Sequence, residues 1–174
     1  METESQIVND IYYLAALCAT EGLGKSKIPS ALGLLKSARA LYEAGEATLK
    51  ATELFTAKQI SAFIVARDKE LPDKIKRFCD MKGVELVTFY AEDYPEPLKK
   101  IADPPLVLYV WGKLPKYSYG VAVVGSRECS SYGKKVAGDF SAYLANAGVP
   151  IISGGARGID TAAHEACLEA GGTL

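Results

Sequence analysis

Apolar positions along the chain follow two different periods, and the change comes near Gly83. Before it, Ile7, Val8, Ile11, Leu14, Ala15 and Cys18 recur at three- and four-residue spacing behind Ser5, a residue type that caps helix starts. One helix with an apolar stripe is predicted there. Thr56-Ala57-Lys58-Gln59 has the form of a capping box ahead of ISAFIVARDK. Pro72 suits the first helical position of PDKIKRFCDMK, and Gly83 can take the left-handed conformation that ends it. Residues 1–83 are therefore expected to form a small helical bundle.

Beyond Gly83 the chain shows short apolar and β-branched runs: VELVTF (84–89), LVLYVW (106–111), VAVV (121–124) and VPIIS (149–153). YGKKVAGDFSAYLANAG separates the last two; Val136, Phe140 and Leu144 share one helical face in it, and Gly148 supplies a stop. Strand, helix, strand is a βαβ crossover. Continuous apolar strands are buried on both faces, so residues 84–174 are expected to form a Rossmann-like parallel sheet with helices packed on it. The fold class is thus α/β, with a helical domain first. EAGGTL enters a further strand as the sequence ends, which would leave a sheet edge bare, and a piece of a longer protein is expected.

At 49% hydrophobic residues the 174-residue chain can build a real core. No apolar run approaches the roughly 20 residues of a membrane span, and the acidic start METESQIVND lacks the basic opening of a secretory signal. A cytoplasmic address is expected. Cys18, Cys79, Cys129 and Cys167 are far apart, without a C-x-x-C pair, and His164 is the single histidine, so neither a disulfide framework nor a metal site is indicated. Twenty basic residues against twenty-one acidic ones leave a net charge of −1, so any phosphate contact must be local.

In an open parallel sheet, ligands gather beyond the carboxyl ends of the strands. The first such end is VAVVGSRECSSYGKK. Gly125 allows a sharp turn, Ser126 offers a hydroxyl, and Arg127 projects a planar five-donor fork. The second is IISGGARGIDTAAHEA, where Gly154, Gly155 and Gly158 let a ligand approach the backbone. A helix beginning near Asp160 or Thr161 would present free amides and its positive dipole end. With Ser153 and Arg157 alongside, an oxyanion such as a phosphate or nucleotide suits both ends. Plainer accounts stand beside this one. The glycines could serve only a tight βα turn; Arg127 could be solvated or paired with Glu128 or Asp139, and Arg157 with Asp160. Asp160 and His164, four apart on one helix face, read as residues that organise the loop. No third group is placed to orient a serine–histidine pair, so no catalytic residue is assigned.

Named motifs fit poorly. The dinucleotide fingerprint G-x-G-x-x-G has Ser153 where its first glycine belongs, so no NAD is expected. GLGKSK (22–27) mimics the end of a Walker A loop, but Ala19 replaces the leading glycine and a helix precedes it, which does not support ATP hydrolysis. AALCATEGLGKSKIPSALGLL is also similar to a helix-hairpin-helix element, in which hairpin amides meet a DNA phosphate with help from Lys25 and Lys27; the alternative is a turn that only packs two helices.

Taken together, YPEPLKKIADPPLVLYVWG (94–112), VAVVGSR (121–127), YG (132–133) and ISGGARGIDTAAHEACLEAGGT (152–173) resemble the DNA-processing protein A family, also called DprA/Smf. The resemblance implies an N-terminal helical domain, sterile-alpha-motif-like or helix-hairpin-helix-like, ahead of an extended Rossmann-like domain. It also implies a protein without catalytic turnover or cofactor that binds and protects incoming single-stranded DNA during natural transformation. Such proteins help load the RecA recombinase and act as homodimers through the Rossmann-like domain. On that basis Gly125, Ser126, Arg127, Ser153, Gly154, Gly155, Arg157 and Gly158 would hold backbone phosphates, with Asp160 and His164 bracing the loop. The family's further strands and basic groove residues are not in this sequence, and the six basic residues after position 100 are balanced by six acidic ones. The rival from another class is a nucleotide-processing enzyme, a nucleoside-monophosphate phosphoribohydrolase on a related fold. Such enzymes share a similar glycine-rich loop but lack the YPEPL block.

Overall fold

The computed structural model describes residues 10–114 and 119–174; Ser5, Ile7 and Val8 of the predicted first helix lie outside the described residues. The chain forms two compact units, Met1–Leu114 and Pro115–Leu174. The division falls after Leu114 and not after Gly83, because the first two strands pack on the helical core.

In the first unit, α1 (Ile11–Ala19) buries Leu14, Ala15, Ala16 and Leu17. A tight turn and a single 3₁₀ turn (Lys25–Lys27) lead to α2 (Ile28–Leu35), then α3 (Ala38–Glu43) and α4 (Glu46–Ala51). In α5 (Ala57–Ala66) the expected capping box is present: the Thr56 side chain accepts from the Gln59 amide while Gln59 accepts from the Thr56 amide. The last helix, α6 (Leu71–Lys82), starts one residue before Pro72 and ends at Gly83 with φ 62°, the left-handed stop. Leu14, Leu17, Ile28, Leu32, Leu41, Tyr42, Leu49, Ile60 and Phe63 form the core, each 2% exposed or less. Val84, Leu86 and Val107 pack against it from the strands.

Those strands, β1 (Val84–Thr88) and β2 (Val107–Trp111), pair antiparallel, with Leu86 opposite Tyr109 and Thr88 opposite Val107. This corrects the expectation that they belong to the parallel sheet. A parallel crossover needs a helix long enough to run back along the sheet. Between these strands Pro95, Pro97, Pro104 and Pro105 leave only the four-residue α7 (Glu96–Lys99). The chain therefore turns over and returns beside itself.

The second unit is a βαβ unit extended by a further helix. β3 (Val121–Ala122) and β4 (Ile151–Ile152) are parallel, with Val121 opposite Ile151, and α8 (Ser131–Asn146) connects them. α9 (Ile159–Glu169) follows. The amide of Ile151 donates to the carbonyl of Thr173 (2.9 Å), so GGTL begins to line up beside β4. Two expectations change here. Val136 and Phe140 are 45% and 52% exposed, and the buried side of α8 is Ala137, Ser141 and Ala145. Small residues win that face because α9 lies close: a Cβ on Gly138 would stand 3.6 Å from the Cβ of Ala166. The strands are also covered on one face only. Ile151 is fully buried among Ala145, Ala163 and Cys167, whereas Val124 and Ile152, on the alternate side, are exposed.

Two substitutions test this packing by chemical denaturation. Gly22 has φ 118°, and a Cβ there would lie 2.4 Å from the backbone nitrogen of Phe63; Gly22→Ala is expected to cost about 2 kcal/mol or more. The Ser141 hydroxyl is buried without a hydrogen-bond partner among the described residues. Ser141→Ala, of nearly the same shape, is expected to leave stability unchanged or to raise it by up to about 1 kcal/mol.

Candidate functional site

The two glycine-rich loops at the ends of β3 and β4 touch. Gly158 has φ 90°, and a Cβ on it would lie 2.3 Å from the carbonyl oxygen of Ser126 and 2.8 Å from that of Arg127. The amide of Ile159, first residue of α9, donates to the Ser126 carbonyl (3.2 Å). Gly125 answers from the other side, since a Cβ there would stand 2.7 Å from Cγ1 of Ile159. Gly158 is thus required by close backbone approach between the loops, and Gly125 by the Ile159 side chain, beyond the needs of either turn alone.

Asp160 is 6% exposed, and its carboxylate accepts from the amides of Gly154 (3.0 Å) and Ala156 (3.4 Å). The loop is wound round the protein's own anion. The amide of Gly154, one of the groups expected to meet a ligand, is therefore occupied, as is that of Ala156. The amides of Gly155, Arg157 and Gly158, with those of Gly125, Ser126 and Arg127, donate to no acceptor among the described residues. Thr161 adds rigidity, its amide (3.1 Å) and its hydroxyl (2.8 Å) both donating to the Ala156 carbonyl.

Both serines are engaged with the backbone. The Ser126 hydroxyl donates to the carbonyl of Glu128 (2.8 Å) and accepts from its amide (3.1 Å), which closes the turn after β3. The Ser153 hydroxyl donates to the carbonyl of Val123 (2.6 Å), tying the end of β4 to β3. Arg127 and Arg157 are exposed and enter no ion pair among the described residues. Asp139 is held by Lys135 (2.5 Å), and the buried carboxylate of Asp160 faces the loop amides. His164 is half-buried on α9 and forms no hydrogen bond with Asp160. Beneath the site Cys167 is fully buried against β4, and burial pushes its thiol above the usual range, against a smaller opposing effect of the Ile151 backbone.

One cation escaped the sequence reading. Lys134, in the first turn of α8, joins Arg157, Gly158, Thr161 and Glu165 around an open depression of about 300 Å³. The YGKK run directly behind the first loop carried that signal, because a helix that leaves a strand tip keeps its first turn beside the tip. The described residues include no group of three or more His, Cys, Asp and Glu side chains that could hold a metal ion, and no helix long and apolar enough to cross a membrane. In the first unit the hairpin before α2 divides its two lysines. Lys27 donates inward to the Leu54 carbonyl (2.7 Å) and to Oε1 of Gln59 (3.1 Å), whereas Lys25 stays exposed.

Comparison with known proteins gives this arrangement its context. Residues 85–174 match the family described as DNA recombination-mediator protein A. Protein Smf of Escherichia coli is 44% identical over 118 residues, 67% of this chain and 31% of that protein. The DNA processing protein DprA of Streptococcus pneumoniae is 48% identical over 80 residues, 45% of this chain and 28% of that protein. Protein Smf of Borreliella burgdorferi is 34% identical over 122 residues, 70% of this chain and 39% of that protein. The X-ray structure of DNA processing protein A from Streptococcus pneumoniae superposes with a TM-score of 0.60 at 28% identity, covering 92% of this chain and 54% of that one. The chain thus spans well under half the length of these curated relatives and about half of the solved structure. Since the matched segment takes in all but the first residue of β1, the whole of β2 and the whole second unit with both strand-tip loops, the chain belongs to the DNA recombination-mediator protein A family.

Proposed function

We propose that this chain contributes a phosphate-gripping surface for single-stranded DNA to a recombination mediator. The observation that carries the reading is the locked pair of loops. Gly158 lies against the Ser126 carbonyl, and Arg127 and Arg157 stand exposed outside any ion pair among the described residues. Unpaired amides on two adjoining loops, with guanidinium forks beside them, favour an anion whose oxygens can be shared between them. A strand whose phosphates recur along its length satisfies such a seat without a deep pocket.

The role is that of a binding protein without turnover. The hydroxyls of Ser126, Ser153 and Thr161 all donate to backbone carbonyls, and none is hydrogen-bonded to His164 among the described residues. A nucleophile needs a base within hydrogen-bond reach to take its proton. The family's recombination-mediator description supports a role in DNA recombination; the RecA recombinase as protein partner, homodimerisation through the Rossmann-like domain, and work in the cytoplasm on DNA taken up by transformation are parts of the same proposal.

Fluorescence anisotropy with labelled oligo-dT at low and moderate salt tests the seat. Arg127→Ala and Arg157→Ala are each expected to weaken binding and to flatten the plot of log affinity against log salt by about 0.7 for each phosphate that is no longer neutralised. Lys134→Ala is expected to weaken binding less. Unchanged affinity in both arginine variants would remove the assignment. Gly158→Ala keeps every cation but drives a methyl into the Ser126 carbonyl, so binding should fall and stability should drop by about 1–3 kcal/mol. Asp160→Ala strands the Gly154 and Ala156 amides, with a similar expected loss of about 1–3 kcal/mol in chemical denaturation.

A further inference from the structure

A second ligand-sized feature lies in the first unit, away from the glycine-rich loops in sequence. A cleft of about 520 Å³ opens between the hairpin residues Lys25 and Ser26 and the segment carrying Phe89, Asp103, Pro104 and Pro105. Its volume falls in the range of roughly 300–1,000 Å³ typical of small-molecule sites.

The walls are preorganised. The Phe89 amide donates to the Leu106 carbonyl (2.9 Å), and the buried Tyr94 hydroxyl donates to the carbonyl of Pro105 (2.8 Å). The Phe89 ring is held edge-on by Tyr94, with centroids 5.5 Å apart. Adjacent Pro104 and Pro105 give a stiff apolar surface with no amide to satisfy. On the opposite lip, Lys25 projects from the 3₁₀ turn that Gly24 enters at φ 80°.

Cys18 and Tyr90 also line the cleft, and three exposed polar side chains stand at its edge. Lys25, the Ser26 hydroxyl and the Asp103 carboxylate form no hydrogen bond or ion pair among the described residues, although two of them carry opposite charge and line the same cleft. An ammonium and a hydroxyl on one lip suit a phosphate. A carboxylate on the other suits a donor such as an exocyclic amine. The flat apolar surface between them suits a planar ring. A free amino acid would satisfy the charges but leave most of the cleft unfilled.

We propose that this cleft binds a nucleoside 5′-phosphate unit bearing an amino-substituted base. The phosphate lies at Lys25 and Ser26, the ring against Phe89, Pro104 and Pro105, and the exocyclic amine at Asp103. The choice of ligand rests on the nucleic-acid reading of the chain, whereas the site is separate from the seat at the strand tips. Cytosine, adenine and guanine offer the amine; thymine does not.

An NMR titration of the isotopically labelled chain with dCMP, dAMP, dTMP and base-free deoxyribose 5-phosphate tests this. The expected result is saturable shifts at the amides of Lys25, Ser26, Phe89 and Asp103 with dCMP and dAMP. Affinity for dTMP and for the base-free sugar phosphate should be at least about tenfold lower. Lys25→Ala should weaken dCMP about tenfold, and Asp103→Ala should abolish the preference for dCMP over dTMP. Both side chains are at the surface, so neither change threatens the fold. Equal response to all four compounds or no saturable shift at the cleft would overturn the proposal. The same spectra report the amides of residues 125–127 and 155–158 independently, so failure of the cleft and failure of the strand-tip seat are told apart.

Discussion

The arrangement at the strand tips depends on one backbone approach, the packing of Gly158 against the carbonyls of Ser126 and Arg127. Any side chain at 158 would hold the loops apart, and the φ of 90° is one that L side chains rarely adopt. Because the loops meet through main-chain atoms, their separation is set by van der Waals contact and the Ile159–Ser126 hydrogen bond and does not vary with rotamers. Ile159 completes the joint: its amide reaches back to Ser126, and its side chain fills the space left by Gly125. Two loops that would each pass for an ordinary βα turn become one surface.

Asp160 decides which amides of that surface stay open. A buried carboxylate inside a loop of amides neutralises the inner donors and fixes the path of the backbone between Gly154 and Ala156. An incoming anion is then excluded from the interior and meets only the outer amides and the guanidinium forks. That separation keeps stability and binding in different residues. Exposed arginines without ion-pair partners contribute little to folding, so they can be removed without unfolding the site, whereas Asp160 and Gly158 cannot. It also reconciles local anion binding with a net charge of −1, because attraction at contact distance outlasts the screening that averages charge over a surface.

Local signals were the legible ones. The Thr56–Gln59 box, the Gly83 stop and the strand–helix–strand order around α8 are each set by a few neighbouring residues, and each forms as the pattern predicts. What failed required knowledge of partners distant in the chain. Val136 and Phe140 satisfy the spacing of a buried stripe, yet the adjacent small-residue face of α8 is the one that lets α9 approach, and a periodic pattern cannot choose between neighbouring faces. VELVTF and LVLYVW read as strands, and their direction was set by the prolines between them. At the site, Arg127 and Arg157 are exposed, whereas the Gly154 amide is taken by Asp160 and Gly158 packs against Ser126. Ser126 and Ser153 instead give their protons to carbonyls that no spacing rule names.

The two units reach order by different means. The first has large side chains interlocked in one core, with Tyr42 set edge-on to Phe63 at 6.0 Å. The second has mainly Ala145, Ile151, Ala163 and Cys167, and one face of its short sheet carries exposed Val124 and Ile152. Little apolar area is buried there, so the hydrophobic contribution is correspondingly small. Close backbone contact compensates in part. Gly138 lets α8 rest on α9, a Cβ on Gly172 would stand 2.5 Å from that of Ala145, and Gly158 joins the loops. Each contact relies on a missing side chain, so a substitution that fills one of these spaces should disturb the fold of the unit, whereas the exposed Arg127 and Arg157 can change without doing so.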